Sequence, residues 1–423
     1  MGLGRSWRIA ACVAAAGVTA SAWGAERDTT RAAAITGSKA TIYSSLPRQG
    51  ATGDQARAIE RGATMALDDR GGKVGRYEVA YKRLDDSLPS TGYADEERGK
   101  RNARKAAGDK TTVGYIGEYN SFVSKVTIPI LHKAGIAQIS PSNVYVGLTS
   151  DAPGHEAGEP GVYYPSGRRT YARVIPNDTV QAAALATATR NDGCRSVHVL
   201  KSGTTYSNGL ARTIGATGRA IGLKVKRTQR YDPDADGYRS LAKRVTAPCV
   251  IQTGEIELSG LRVLKAVAKA HERIHLYGAD GVCLNANPNP RQGVPPSVVA
   301  RHFRCTIASL DPAAFGRAGR RFFHRFAKRY GRRHVDPYAI YGYEAMALML
   351  RSMERALGAG GSVARDDVVR ALFTTKNRES VLGRYTITAR GDTTIRKYGL
   401  YKIRRSYLTF ARVIKSVRPV VKR

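Results

Sequence analysis

The chain has 423 residues, 42% of them hydrophobic and 24% charged. A length of that order spans two or three domains, and the composition excludes a disordered, collagen-like or disulfide-scaffold protein. Lys and Arg number 69 against 34 Asp and Glu, a formal net charge of +35, yet these cations are spread from Arg48 to Arg423 with no zinc-finger spacing, RRM-like aromatic run or Gly-rich basic tail, so they read as a solvated basic surface with no nucleic-acid partner.

The N-terminus carries Arg5 and Arg8, an apolar run over 9–18 and the small-residue site Ala20-Ser21-Ala22. That is the layout of a secretory signal peptide over residues 1–22, too short for a spanning helix. The stretch Ile9-Ala10-Ala11-Cys12 resembles a lipoprotein box, but the apolar run before it is nearly absent, so lipid anchoring ranks second. No run of about 18 apolar residues follows, which excludes a polytopic membrane protein. Cys194, Cys249, Cys283 and Cys305 remain after the signal. Four cysteines in an exported chain permit two disulfides, in any of three connectivities. No Cys/His cluster has zinc spacing, and neither metal nor cofactor is expected.

From residue 36 strands and helices alternate. A strand over 40–43 leads through LPRQGATG to a helix over 54–69, where Ala56, Ile59, Ala63 and Ala66 share one face and Gly71-Gly72 stops it. Strands follow over 77–84, 112–116 and 136–139, with a charged helix and a helix over 121–132 between them. A second series begins near Asn177: helices over 179–190, 208–221, 240–245 and 258–271 alternate with strands over 196–200, 223–228, 250–253, 274–277 and 306–310. Helices over 318–330, 337–357 and 366–372 come next, then strands over 385–388, 398–403 and 407–413. Alternation of this kind predicts an α/β protein with two doubly wound, mostly parallel sheets. The late return to helix suggests that the chain crosses between domains more than once.

Catalytic motifs are missing. Asp232 to Gly237 opens like a calcium loop, but its twelfth position is Lys243 where a bidentate Glu is needed. Ser240-Leu241-Ala242-Lys243 lacks its companion motifs. Nothing recommends an enzyme. What remains is polar residues at strand ends, the edge where open α/β sheets bind ligands. Ser121 opens a helix after the strand TVGYI, where its hydroxyl and free N–H groups suit a carboxylate; the plainer reading is an N-cap. Asp280 follows the strand IHLYG and could take an ammonium, or simply fix a turn. Tyr206 sits after SVHVLKS, where it could cover a ligand or pack on its own helix. Together these three describe a trap for a zwitterion.

Several stretches carry a family resemblance: SSLPRQG with ALDDRGG, VGYIGEYNSFVSKVTIPILHKAGIAQISPSN, TYSNGLAR, LYGADG and DPYAIYGYEAMALML. In this order and spacing they resemble the type I periplasmic binding proteins of the leucine/isoleucine/valine-binding group, receptors of branched-chain amino acid ABC transporters. The resemblance covers residues 36–413. It implies two Rossmann-like lobes joined by a multi-strand hinge, with one lobe at 36–175 plus 310–378 and the other at 176–309 plus 379–415. Hinge strands fall near 175–178, 309–313 and 375–381. It implies that Ser121 binds the ligand α-carboxylate, that Ser142 and Val144 stand where the family offers a backbone carbonyl and a threonine, that Asp280 pairs with the α-ammonium, and that Tyr206 closes over the ligand. Asn120, Glu255 and Gln49 are further pocket candidates. Val144 replaces the usual Thr, Glu255 stands where many members carry tyrosine, and Arg48 stands in a loop that is usually apolar. A polar amino acid, an amide or another small zwitterion therefore competes with a branched-chain ligand. The implied 2-1-3-4-5 sheet order pairs Cys194 with Cys249 and Cys283 with Cys305.

The sequence thus reads as an exported substrate-binding protein, monomeric, in the periplasm or on the outer face of the membrane. It would capture a small, branched-chain-like amino acid in the cleft between the lobes and deliver it to an ABC permease. The alternatives are a ligand-sensing receptor of the same fold and a basic exported protein that binds anionic envelope polymer.

Overall fold

The computed structural model describes residues 34–283, 302–332, 335–358, 361–404 and 407–414. The expected signal over 1–22 lies outside the described residues. In chain order the first part runs β1 (Lys39–Leu46), α1 (Gly53–Asp68), β2 (Lys73–Val74), β3 (Tyr77–Asp85), α2 (Glu96–Gly108), β4 (Thr112–Ile116), α3 (Ser121–Lys133), β5 (Ala137–Ser140) and β6 (Tyr171–Arg173). Its sheet has the order β2-β3-β1-β4-β5-β6, parallel except for the β2–β3 pair. β1 is buried along almost its whole length, as a strand covered on both faces must be.

The second part runs α4 (Asp178–Asn191), β7 (Ser196–Lys201), α5 (Thr205–Ile221), β8 (Lys224–Arg230), α6 (Arg239–Lys243), β9 (Cys249–Gln252), α7 (Gly260–Ala270), β10 (His275–Gly278) and β11 (Phe303–Ile307). The last part is α8 (Arg317–Tyr330), α9 (Ala339–Arg355), α10 (Arg365–Phe373), β12 (Tyr398–Arg404) and β13 (Tyr407–Ile414). The second sheet has the order β13-β12-β11-β10-β9-β7-β8. Its parallel portion is the 2-1-3-4-5 order, and β12 and β13 add antiparallel strands at one edge. Local chemistry sets the ends of α5: the Thr204 side chain accepts from Ser207 N–H, and Gly222 stops the helix at a left-handed φ of 69°.

Both disulfides form as implied. Cys194–Cys249 joins the entries to the neighbouring strands β7 and β9, with Cα atoms 6.3 Å apart. Cys283–Cys305 ties the turn after β10 to β11, at 5.6 Å.

Although late in the chain, α9 packs against α1 of the first lobe. The two backbones touch: a β carbon on Gly62 would lie 2.0 Å from the Ala339 carbonyl oxygen, and one on Gly342 would lie 2.0 Å from that of Ile59. Residues 385–388, expected as a strand, make only isolated bridges, Arg378 with Tyr385 and Ile387 with Thr393. Side-chain bonds replace a ladder there. Arg378 and Tyr385 both reach the buried Glu344 of α9, each at 2.6 Å. This segment also meets the first sheet: Arg173 N–H donates to the Gly391 carbonyl, and Arg173, fully buried, pairs with Asp392 at 2.9 Å. The fifth strand of the second sheet begins three residues earlier than expected, because Phe303 pairs with Leu276 and Cys305 with Gly278.

Candidate functional site

The first lobe contributes strand-end loops. β4 ends at Ile116, and the chain passes Glu118, Tyr119 and Asn120 before α3 starts at Ser121. Asn120 occupies the N-cap position, so Ser121 is already helical. The Ser121 hydroxyl donates to Asn143 Oδ1 at 3.0 Å, and Asn143 in turn donates to Ser124 Oγ at 2.8 Å. The plain N-cap reading of Ser121 is therefore set aside. Ser140, at the end of β5, donates to the Glu118 carbonyl at 2.8 Å and receives the Asn143 N–H at 2.9 Å. It locks the two loops that carry Ser121 and Ser142. Ser142 is 7% exposed, and its Oγ has no protein partner. Val144 is buried, and its carbonyl accepts the Asp178 N–H at 2.8 Å where the chain crosses to α4.

The second lobe contributes the ends of β7, β9 and β10. Asp280 opens a short turn directly after β10 and is 8% exposed. It accepts from Tyr206 Oη in a short bond, from Gln181 Nε2 at 2.8 Å and from Gly281 N–H at 3.1 Å. Tyr338, which precedes α9, donates to its other oxygen at 3.5 Å. Burial raises the Asp280 pKa, while the bonds from Tyr206 and Gln181 oppose the rise. Glu255, just beyond β9, accepts from Ser202 Oγ at 2.6 Å and from Thr204 Oγ1 at 2.5 Å. Burial pushes its pKa up to about 7.

These residues meet. Ser121, Ser142, Val144, Tyr206 and Asp280 all line one cavity, and so do Asn120 and Glu255. Gln49 does not. Its Nε2 donates to Asp85 at 2.9 Å, and the Arg48 N–H binds the same carboxylate at 3.1 Å, so the loop folds back on the first lobe. The Arg48 guanidinium pairs with Glu60 at 3.3 Å and stays out of the cavity. Sequence reasoning missed Tyr119, Phe122 and Tyr338, which complete the wall. Tyr119 and Phe122 flank Ser121 in EYNSF, and Tyr338 opens DPYAIYGYEAMALML, so an aromatic residue beside each motif was the available signal. Asp280, Glu255, Ser121 and the first-turn N–H groups of α3 give the cavity two acids and one carboxylate-accepting end, enough to orient a zwitterion without covalent chemistry.

No curated protein matches the chain in sequence. Among solved structures, a leucine-binding protein, LivK, from Thermotoga maritima superposes with a TM-score of 0.70 at 20% identity, covering 89% of this chain and 98% of that one. LivJ from Streptococcus pneumoniae, a branched-chain amino acid transporter substrate-binding protein in complex with isoleucine, gives 0.70 at 14%, covering 89% and 99%. An ABC transporter solute-binding protein from R. palustris in complex with benzoate gives 0.69 at 16%, covering 92% and 99%. The family model for periplasmic binding proteins matches residues 42–407. With two doubly wound lobes around one cavity and that match along most of its length, the chain belongs to the periplasmic binding protein family.

Proposed function

We propose that this chain is the extracytoplasmic substrate-binding component of an ABC transporter. It captures a small amino acid between its lobes and hands it to a membrane permease, with no bond made or broken in the ligand. One observation carries the reading: strand-end residues from both sheets converge on one cavity, and among the described residues the side-chain partners of Asp280 and Glu255 are neutral hydroxyls and an amide, not cations. An ammonium group supplies the missing partner, since a buried carboxylate without a counter-charge is costly. Ser121 and the start of α3 take the ligand carboxylate, and Tyr206 covers it from the second lobe. Two disulfides suit an oxidising compartment outside the cytoplasm, and among the described residues no helix is long and apolar enough to cross a membrane. The first lobe then comprises β1 to β6 with α9 and α10, and the second α4 to β11 with β12 and β13; because residues 378–392 bond Glu344 and Arg173, we assign the third crossing to the segment after them and not near 375–381 as expected.

The relative with benzoate raises a carboxylic acid without an amine as the rival ligand class. The acidic wall of this cavity disfavours a net anion. Binding of leucine compared with its deaminated analogue, 4-methylpentanoate, tests the difference by calorimetric titration. The amino acid is expected to bind more tightly than the simple acid. Binding of the simple acid alone would overturn the zwitterion reading.

A further inference from the structure

The charge of the cavity is lopsided. Glu255 and Asp280 line it, and among the described residues no Lys, Arg or His does, in a chain with 69 Lys and Arg. Glu255 is 7% exposed, and its carboxylate accepts hydrogen bonds from the neutral hydroxyls of Ser202 and Thr204. Its backbone packs against the loop of the other acid: Ile256 N–H donates to the Gly281 carbonyl at 2.9 Å, and a β carbon on Gly281 would lie 3.4 Å from the Glu255 Cα. On the opposite wall the buried Ser142 Oγ lacks a protein partner, an independent sign that ligand atoms complete the site.

An amino acid with a neutral side chain brings one ammonium and one carboxylate. The ammonium answers Asp280, and the carboxylate goes to Ser121. Glu255 is then left beside the side chain, stripped of water with no counter-charge, an arrangement that a closed site resists. Resting on the amino-acid reading above, we propose that the ligand carries a second cationic group, held by Glu255, and that Glu255 is the residue that selects a diamino acid over its neutral isostere. The adjacency of the two acid-bearing loops favours a short side chain.

The test is paired calorimetric titration of the intact, ligand-stripped protein with diaminobutyrate against α-aminobutyrate and with ornithine against norvaline. Within each pair the diamino acid is expected to bind about tenfold tighter or more, the scale of a desolvated charge pair. Glu255→Gln is expected to bring the ratio close to unity. Should that variant fail to fold, the wild-type ratio measured from about pH 8 down to about pH 6 serves instead, and it is expected to shrink as Glu255 takes up a proton. Glu257 and Asp280 face Glu255 as like charges, and Tyr93 and Tyr231 face it as phenols. Asp280 acts on the α-ammonium that both members of a pair share, and on Glu255 as a neighbouring like charge. Equal or tighter binding of the neutral member in wild type, or an unchanged ratio in Glu255→Gln, would overturn the inference and leave the amino-acid reading standing. Binding of neither member would strike the amino-acid reading itself.

Discussion

Asp280 accepts hydrogen bonds from residues of both lobes, Tyr206 and Gln181 on one side and Tyr338 on the other. Its neighbours hold the carboxylate in place but leave its charge unanswered. Asp280→Asn keeps the shape and removes the charge. It is expected to weaken amino-acid binding by about 2–5 kcal/mol, the cost of losing one partner of a buried charge pair, read by titration calorimetry. A second acid supports the site from behind. Glu118 is fully buried beside Asp86 and accepts from Tyr115 Oη at 2.8 Å. Burial pushes its pKa up to about 7. A carboxyl whose pKa is raised on folding binds more protons in the native state, so its contribution is intact below its unfolded pKa and is lost as pH rises through about 7. Wild type is therefore expected to lose stability relative to Glu118→Gln between about pH 4.5 and about pH 7, by a few kcal/mol at most. Parallel denaturant curves for the two proteins check this, and a constant difference across that window would contradict it. At this scale the sequence shows the polar strand-end residues, because Ser121, Tyr206 and Asp280 each follow a recognisable strand. It does not show Tyr338, which reaches Asp280 from the start of α9, 58 residues further along the chain, nor that Gln49 turns away toward Asp85.

At the scale of elements, helices and central strands are legible because their apolar periodicity is strong: β4 and α1 fall within a residue of the expected ranges. Elements set by tertiary pairing are not. β2 and β6 have two and three residues, too few to show a period. The run 385–388 looks like a strand, but the buried Glu344 draws Arg378 and Tyr385 into side-chain bonds instead of a ladder. The contact of α1 with α9 depends on Gly62 and Gly342. Gly342→Ala places a methyl against the Ile59 carbonyl and is expected to cost about 1–3 kcal/mol, as overpacking does, measured as a lower denaturation midpoint at unchanged slope. The disulfides close loops with sequence separations of 55 and 22. Replacing Cys283 and Cys305 together by serine is expected to remove about 3 kcal/mol, and Cys194 with Cys249 slightly more. Unchanged stability in either double variant would contradict the chain-entropy account.

For the whole molecule, the proposed function requires that a ligand bridging the two lobes closes the hinge between them. Small-angle scattering of the ligand-stripped protein should show a smaller radius on addition of a binding amino acid, and no change with a compound that fails to bind. The net charge of +35 acts on the outside. Ligand capture inside a buried cavity should vary little with salt, whereas adhesion to an anionic polymer would fall steeply as salt screens it. The measurement that bears most directly on the central claim is thermal unfolding of ligand-stripped protein against the common amino acids and ornithine, run beside Asp280→Asn. A ligand at about 100 times its Kd stabilises by roughly 2.7 kcal/mol, a shift of a few degrees. The account predicts such a shift with at least one α-amino acid and its loss in Asp280→Asn. No shift with any of them, or a shift that survives in the variant, would contradict it.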